Sequence, residues 1–271
     1  MIALFTDFGT RDAYVAQMKG VILQINPHAQ LVDLNHEVLP FDLRAATYLL
    51  ATSAYYFPAG SIFVAVVDPG VGSSRLPLLL HTQAEKWYIG PDNGLFTGVL
   101  ARERLREAYA LTQPTYFRAP QVSTTFHGRD IFAPVAAHLS LGVPPAHFGP
   151  RCSEVVMLPQ VQPQRVGNSI NGEVRYIDHF GNVITNITAD LLQDVPRGRR
   201  LTCILHDTPY HAPFVHTYAE GAPHELICLI NSDDAFELAI SQEAAAASVH
   251  ARVGDRFALR CDVEEREEGV V

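Results

Sequence analysis

Short apolar runs alternate with helix-period segments over the first 157 residues. IALFTD reads as a strand, and in DAYVAQMKGVILQI the apolar residues Tyr14, Met18, Val21, Ile22 and Ile25 recur at helical spacing until Pro27 stops them. QLVDLN predicts a second strand and DLRAATYLLATSAYYF a second helix, closed by Pro58. SIFVAVVD predicts a third strand, apolar along its length like a strand covered on both faces. LPLLLHT and KWYIGP predict a hairpin, and GLFTGVLARERLREA and DIFAPVAAHLSLG two more helices. Strands alternating with crossover helices predict a mostly parallel α/β sandwich domain over residues 1–157.

Residues 158–168 carry two prolines and no apolar period, so they are expected to be a linker. From 169 to 271 the pattern becomes short strands separated by turn residues: GEVRYID, NVITNIT, RRLTCILH, ELICLIN, FELAIS and DRFALRCD. In FELAIS the residues Phe236, Leu238 and Ile240 alternate with others at period two. A smaller antiparallel β-barrel or sandwich domain is expected, with the tail EEREEGVV frayed.

At 271 residues and 48% hydrophobic the chain can bury one substantial core and a smaller second one. Its 20 basic and 29 acidic residues give a net charge of -9, with no basic cluster beyond RGRR at 197–200, which disfavours a nucleic-acid partner. RGRR is expected to be a solvated turn. The N-terminus lacks the charge and apolar pattern of a signal peptide, and no apolar run is long enough for a membrane span, so a cytoplasmic protein is expected. The four cysteines are widely spaced and expected to be buried reduced thiols, and the histidines form no zinc signature.

Chemistry concentrates at a few turns. In TDFGTRD, Asp7 ends the first strand, where a carboxylate in an open α/β sheet commonly takes a ribose. Thr10 or Asp12 is expected to cap the helix that follows. In VVDPGVGSSR, Asp68 follows the third strand, with Arg75 shortly after; the absence of a lysine and a following helix excludes a triphosphate loop. In TTFHGRD, His127 opens a helix that Asp130 is expected to cap, and in GPDNGLF Asp92 or Asn93 is expected to cap another. YIDHFGNVITNI crowds Asp178, Phe180 and Asn182 at a hairpin turn, and Asn231 opens NSDD at another strand end. An aromatic face beside amides and carboxylates suits a purine and an amino acid, although turns favour the same residue types.

Together TDFGTRDAYVAQMKG, VVDPGVGSSR, GPDNGLF, TTFHGRDIFAPVAAHL, YIDHFGNVITNI and NSDDAFELA resemble the S-adenosyl-L-methionine hydroxide adenosyltransferases, adenosine-forming hydrolases homologous to fluorinating and chlorinating enzymes. The resemblance runs from residue 4 to about residue 262. It implies a homotrimer without a cofactor, its substrate lying between one subunit's first domain and a neighbour's second. It further implies that Asp68, Arg75 and His127 activate a water, that Asp7 holds the ribose, and that Asp178 and Ser232 contact the methionine portion, with Asn231 alongside. Asn182 and Phe180 would surround the adenine, and Phe41 and Tyr218 stand where the family often has pocket aromatics. The halogenating relatives are expected to carry an aromatic residue at position 68 and a serine at 128. Asp68, Gly128 and the short connection after LPLLLHT put this chain with the water users.

The implied reaction is displacement at the ribose 5' carbon, with Arg75 stabilising a hydroxide and Asp68 and His127 accepting or shuttling its proton. Three alternatives stand beside it: a non-catalytic adenosine or S-adenosylmethionine binder, a metal-dependent hydrolase built on Asp7, Asp68, His127 and Asp130, and halide transfer.

Overall fold

The computed structural model describes residues 1–261, and the acidic tail expected to fray lies outside the described residues. The chain divides into two compact units, Met1–Pro159 and Gln160–Val271.

In the first unit, β1 (Ile2–Thr6), α1 (Tyr14–Ile25), β2 (Leu31–Asn35), α2 (Leu43–Tyr55) and β3 (Ile62–Val66) follow the predicted alternation. The antiparallel pair β4 (Pro77–Thr82) and β5 (Trp87–Pro91) comes next, then α3 (Thr97–Glu103), β6 (Leu105–Ala110) and α4 (Ala133–Ser140). The sheet order is β2-β1-β3-β5-β4-β6, and only β4 runs against its neighbours. Alternate residues of β1 and β3 sort onto opposite faces. Ile2, Leu4, Val64 and Val66 pack with α1 and α4, while Ala3, Phe5, Phe63 and Ala65 pack with α2 and α3. An apolar strand without polar alternation is what two covered faces require.

Several local expectations are corrected. The helix expected through GLFTGVLARERLREA stops at Glu103, and Arg104 takes a left-handed φ of 56°. LREAYA then becomes β6, because the exposed edge of β4 offers ladder hydrogen bonds that outweigh helix propensity. Glu103 fixes the helix end by accepting from Tyr88 Oη (3.0 Å), Lys86 Nζ (3.0 Å) and Thr82 Oγ1 (2.8 Å). Neither Thr10 nor Asp12 caps α1, whose N-cap is Ala13, and Thr10 instead donates to Glu37. Nor do Asp92 and Asn93 cap α3: Asp92 accepts from the Val156 amide, and Asn93 bridges the Val67 carbonyl and the Leu95 amide.

The second unit is antiparallel: β7 (Gln164–Val166), β8 (Ser169–Ile177), β9 (Val183–Thr188), β10 (Arg200–Leu205), β11 (Thr208–Pro213), β12 (Leu226–Ile230), β13 (Ala235–Ile240) and β14 (Arg256–Arg260). The order β11-β10-β14-β8-β9-β13-β12, with β7 beside β8, is nearly closed by a bridge between Phe214 and Cys228. Strand β7 lies inside the segment expected to be linker, and β11 lies in a proline-containing stretch where the pattern predicts no strand. The tight connection into β11 is made by His206 and Asp207, both with positive φ as a two-residue hairpin loop requires. Arg197 is no free turn residue, since its guanidinium stacks 3.8 Å from the Phe214 ring centroid. Cys203 and Cys228 are buried as expected, whereas Cys152 and Cys261 are only half-buried; none of the four forms a disulfide among the described residues. Among the described residues no helix is long and apolar enough to cross a membrane.

Candidate functional site

Adjacent parallel strands deliver the first cluster. Thr6 of β1 pairs with Val66 of β3, so Asp7 and Asp68 leave the same end of the sheet on neighbouring strands. Asp7 accepts a hydrogen bond from the Phe41 amide at 3.0 Å. Burial pushes its carboxyl above the ordinary range, the Phe41 bond opposes that, and the charge of Asp68 adds to it. Phe41 adopts a φ of 67° to present this amide, which leaves its ring exposed.

The loop after β3 turns back through a bond from the Val71 amide to the Asp68 carbonyl. Gly72, at φ 81°, passes so close to the 124–127 loop that a β-carbon there would lie 2.6 Å from the Thr124 carbonyl oxygen. Only glycine permits that approach, which brings Arg75 to His127. Arg75 Nε donates to Asp68 Oδ1 at 3.0 Å, and Nη2 donates to both Asp68 Oδ2 and His127 Nδ1, the latter at 2.8 Å. The ion pair is desolvated, with the Arg75 and Asp68 side chains only 8% and 5% exposed.

This geometry fixes the state of His127. A guanidinium has no acceptor, so Nδ1 must hold a lone pair toward it and the ring proton sits on Nε2. Burial first, then the charge of Arg75, pulls the His127 pKa below its ordinary value. With Nδ1 engaged by Arg75, His127 presents its Nε2–H as a donor. Arg75 Nη1 is buried and has no hydrogen-bond partner among the described residues. The set therefore combines a fixed cation, two uncommitted guanidinium N–H groups and a neutral imidazole N–H, an arrangement suited to an anionic oxygen.

Asp130 is not a helix cap. It lies in a π-helical turn, Gly128–Phe132, that leads into α4, and its side chain is 1% exposed. It accepts from Arg118 Nε (2.6 Å), Arg129 Nε (2.7 Å) and the Ser123 amide (2.9 Å). These donors overcome burial and lower its pKa to about 2. Asp130 thus ties the 118–123 loop to the turn that begins at His127. Behind Asp7, Thr6 Oγ1 meets His36 Nδ1 at 2.8 Å, and His36 Nε2 meets Asp33 at 2.9 Å; no sequence signal marks this relay.

The second unit gathers the remaining candidates. In the β8–β9 hairpin, Asp178 Oδ1 accepts from the Phe180 and Asn182 amides at 2.9 and 2.8 Å, and Oδ2 accepts from Asn182 Nδ2 at 2.9 Å. Asn182 is buried while the Phe180 ring is 74% exposed. Ser232 is exposed in the β12–β13 turn, which Asn231 organises by accepting from the Asp233 and Ala235 amides. Tyr218 and Asn231 both bind Glu237, a residue the sequence reading missed. Its signal was a carboxylate inside an apolar strand; the period-two reading assumed a solvated second face, but β13 is buried throughout.

Two hollows lie elsewhere. One of about 860 Å³ is lined by Gln164, Glu173, His206 and Arg256 of the second unit. The other, about 360 Å³, is lined by Met1, Ile62 and Trp87 at the end of the parallel strands away from Asp7. Neither contains a candidate residue. Among the described residues no group of three His, Cys, Asp or Glu side chains is disposed to hold a metal ion.

Comparison with known proteins gives a consistent result. Residues 2–149 match the SAM hydroxide adenosyltransferase N-terminal domain, and residues 172–258 match the C-terminal domain of that family. The chain is 38% identical over 259 residues to an (R)-S-adenosyl-L-methionine hydrolase of Salinispora tropica, covering 94% of this chain and 96% of the relative. It is 35% identical to a Methanocaldococcus jannaschii protein of the same name, with 88% and 87% covered. A fluorinase of an Actinoplanes species is 30% identical, with 90% and 91% covered. A crystal structure of an uncharacterized conserved protein from Thermotoga maritima superposes with a TM-score of 0.93 at 34% identity, over 96% of this chain and 100% of that one.

Proposed function

The chain belongs to the SAM hydroxide adenosyltransferase family, and on that premise we propose that it hydrolyses S-adenosyl-L-methionine to adenosine and L-methionine. The observation that carries this reading is the buried Arg75 guanidinium, fixed on two sides by Asp68 and His127 with Nη1 uncommitted.

The sulfonium of the substrate is a good leaving group, because cleavage of the C5'–S bond returns its electron pair to sulfur and yields a neutral thioether. The difficult component is the nucleophile, since water is a poor one at neutral pH. Arg75 lowers the cost of hydroxide by charge-assisted hydrogen bonds from Nη1, and the His127 Nε2–H adds a donor. Both act in a desolvated setting, where such interactions are stronger than in bulk water. As the water oxygen bonds to C5', its proton leaves through Asp68, the anionic member of the set. Asp7 holds the ribose hydroxyls. Asp178 and Ser232, with Asn231, bind the methionine end, Asn182 and Phe180 bind the adenine, and Phe41 and Tyr218 line the pocket. The assembly is a homotrimer in the cytoplasm, which light scattering of the purified protein and fractionation of its host test.

Incubation with S-adenosylmethionine in heavy-oxygen water tests the reaction: adenosine labelled at the 5' hydroxyl is expected. Saturable binding with no adenosine released would instead make the protein a binder. A 5'-halo nucleoside on addition of chloride or fluoride would indicate halide transfer.

A further inference from the structure

Glu237 sits at 2% exposure in β13, paired across the ladder with Leu229 and Ile184. A carboxylate there is expensive, and its hydrogen-bonding partners are neutral: Tyr218 Oη donates to Oε1 at 2.7 Å and Asn231 Nδ2 to Oε2 at 3.0 Å. An apolar residue would suit the strand better, so the carboxylate answers to something other than the fold. Both of its partners are candidate substrate residues from separate segments. Asn231 has no freedom to turn its amide over, because Oδ1 already accepts from the Asp233 and Ala235 amides at 3.0 and 3.1 Å, so Nδ2 must face Glu237 and needs an acceptor. Tyr218, with a 45% exposed ring, is anchored through its hydroxyl. Among side chains of this length, only one with two acceptor oxygens serves both donors, and glutamine would turn an N–H₂ against one of them.

We infer that Glu237 is a positioning residue: it sets the Tyr218 ring and the turn carrying Ser232 in the geometry that binds substrate, resting on the hydrolase reading above. The test compares Glu237→Gln, Tyr218→Phe and their double variant by steady-state kinetics, by calorimetric binding of S-adenosylmethionine, and by thermal midpoint. Glu237→Gln is expected to raise KM and Kd at least tenfold with kcat within about threefold. Tyr218→Phe is expected to raise them about threefold, and the double variant no further than Glu237→Gln alone. An unchanged KM with only a lowered midpoint, or fold-changes that multiply in the double variant, overturns the inference. Should Glu237→Gln not fold, Asn231→Ala and Tyr218→Phe stand in, and unchanged binding in both overturns it. A wild-type protein that binds without releasing adenosine refutes the hydrolase reading and leaves the binding measurements decisive for Glu237.

Discussion

Arg75 Nη2 donates to His127 Nδ1 across 2.8 Å, joining the loop after β3 to the turn before α4. A histidine in that position can stay bonded only while neutral, so the pair assigns opposite duties: charge to the guanidinium, orientation and a second N–H to the imidazole.

Replacing Arg75 by Ala or Lys removes transition-state stabilisation more than substrate affinity. Steady-state kinetics are expected to show kcat reduced by roughly 10²- to 10³-fold, the usual cost of losing a preorganised donor, with KM changed by only a few-fold. Lysine does not rescue, because it cannot supply the fork that serves Asp68 and His127 together.

Asp7→Ala is expected to behave in the opposite way, raising KM by more than tenfold with kcat within a few-fold. Equal losses of affinity in the Arg75 and Asp7 variants would contradict the division between nucleophile and ribose.

His127 is lowered in pKa, by burial first and by Arg75 second. A lowered histidine takes up its proton only below its ordinary value of 6.5, so the active neutral form persists through that pH and is lost further into acid. The acid limb of the kcat/KM profile is expected to have its midpoint below pH 6.5, and His127→Gln is expected to remove that limb. The same sign holds for stability: between the folded and unfolded pKa values the unfolded chain binds more protons, so stability rises with pH there.

Asp130→Ala removes the acceptor shared by Arg118, Arg129 and the Ser123 amide, leaving Arg129 only its hydrogen bond to Gln17 among the described residues. Because both arginines reach solvent, the expected cost is only about 1–3 kcal/mol, read as a lower thermal midpoint together with lost turnover. Because the Asp130 pKa is lowered to about 2, its contribution is fully present above its ordinary pKa of 3.8 and disappears as pH falls through 2. The wild-type midpoint should fall over that window, and the variant's should fall less.

Gly128→Ser would put a β-carbon 3.3 Å from both Met18 Sδ and Phe126 Cε2. These neighbours must give by a few tenths of an ångström, and where they cannot, overpacking costs about 1–3 kcal/mol. The single substitution is expected to lower the thermal midpoint without yielding a 5'-halo nucleoside, as chromatography of the products would show.

Much of this was legible in residue order. The unbroken apolar character of β1 and β3 announced strands covered on both faces, and the motifs at Asp7, Asp68, Arg75 and His127 marked where the chain changes direction with a reactive group in place. Local pattern determines such features because periodicity and turn chemistry act over a few residues. Tertiary structure alone decided the rest. LREAYA became a strand because β4 had an open edge, Asp130 became a clamp because Arg118 folds back onto it, and Glu237 became buried because β13 is covered on both sides. The tautomer of His127 likewise depends on a guanidinium 52 residues away. Hydrogen-bond partners and desolvation come from segments distant in sequence, and no local period encodes them.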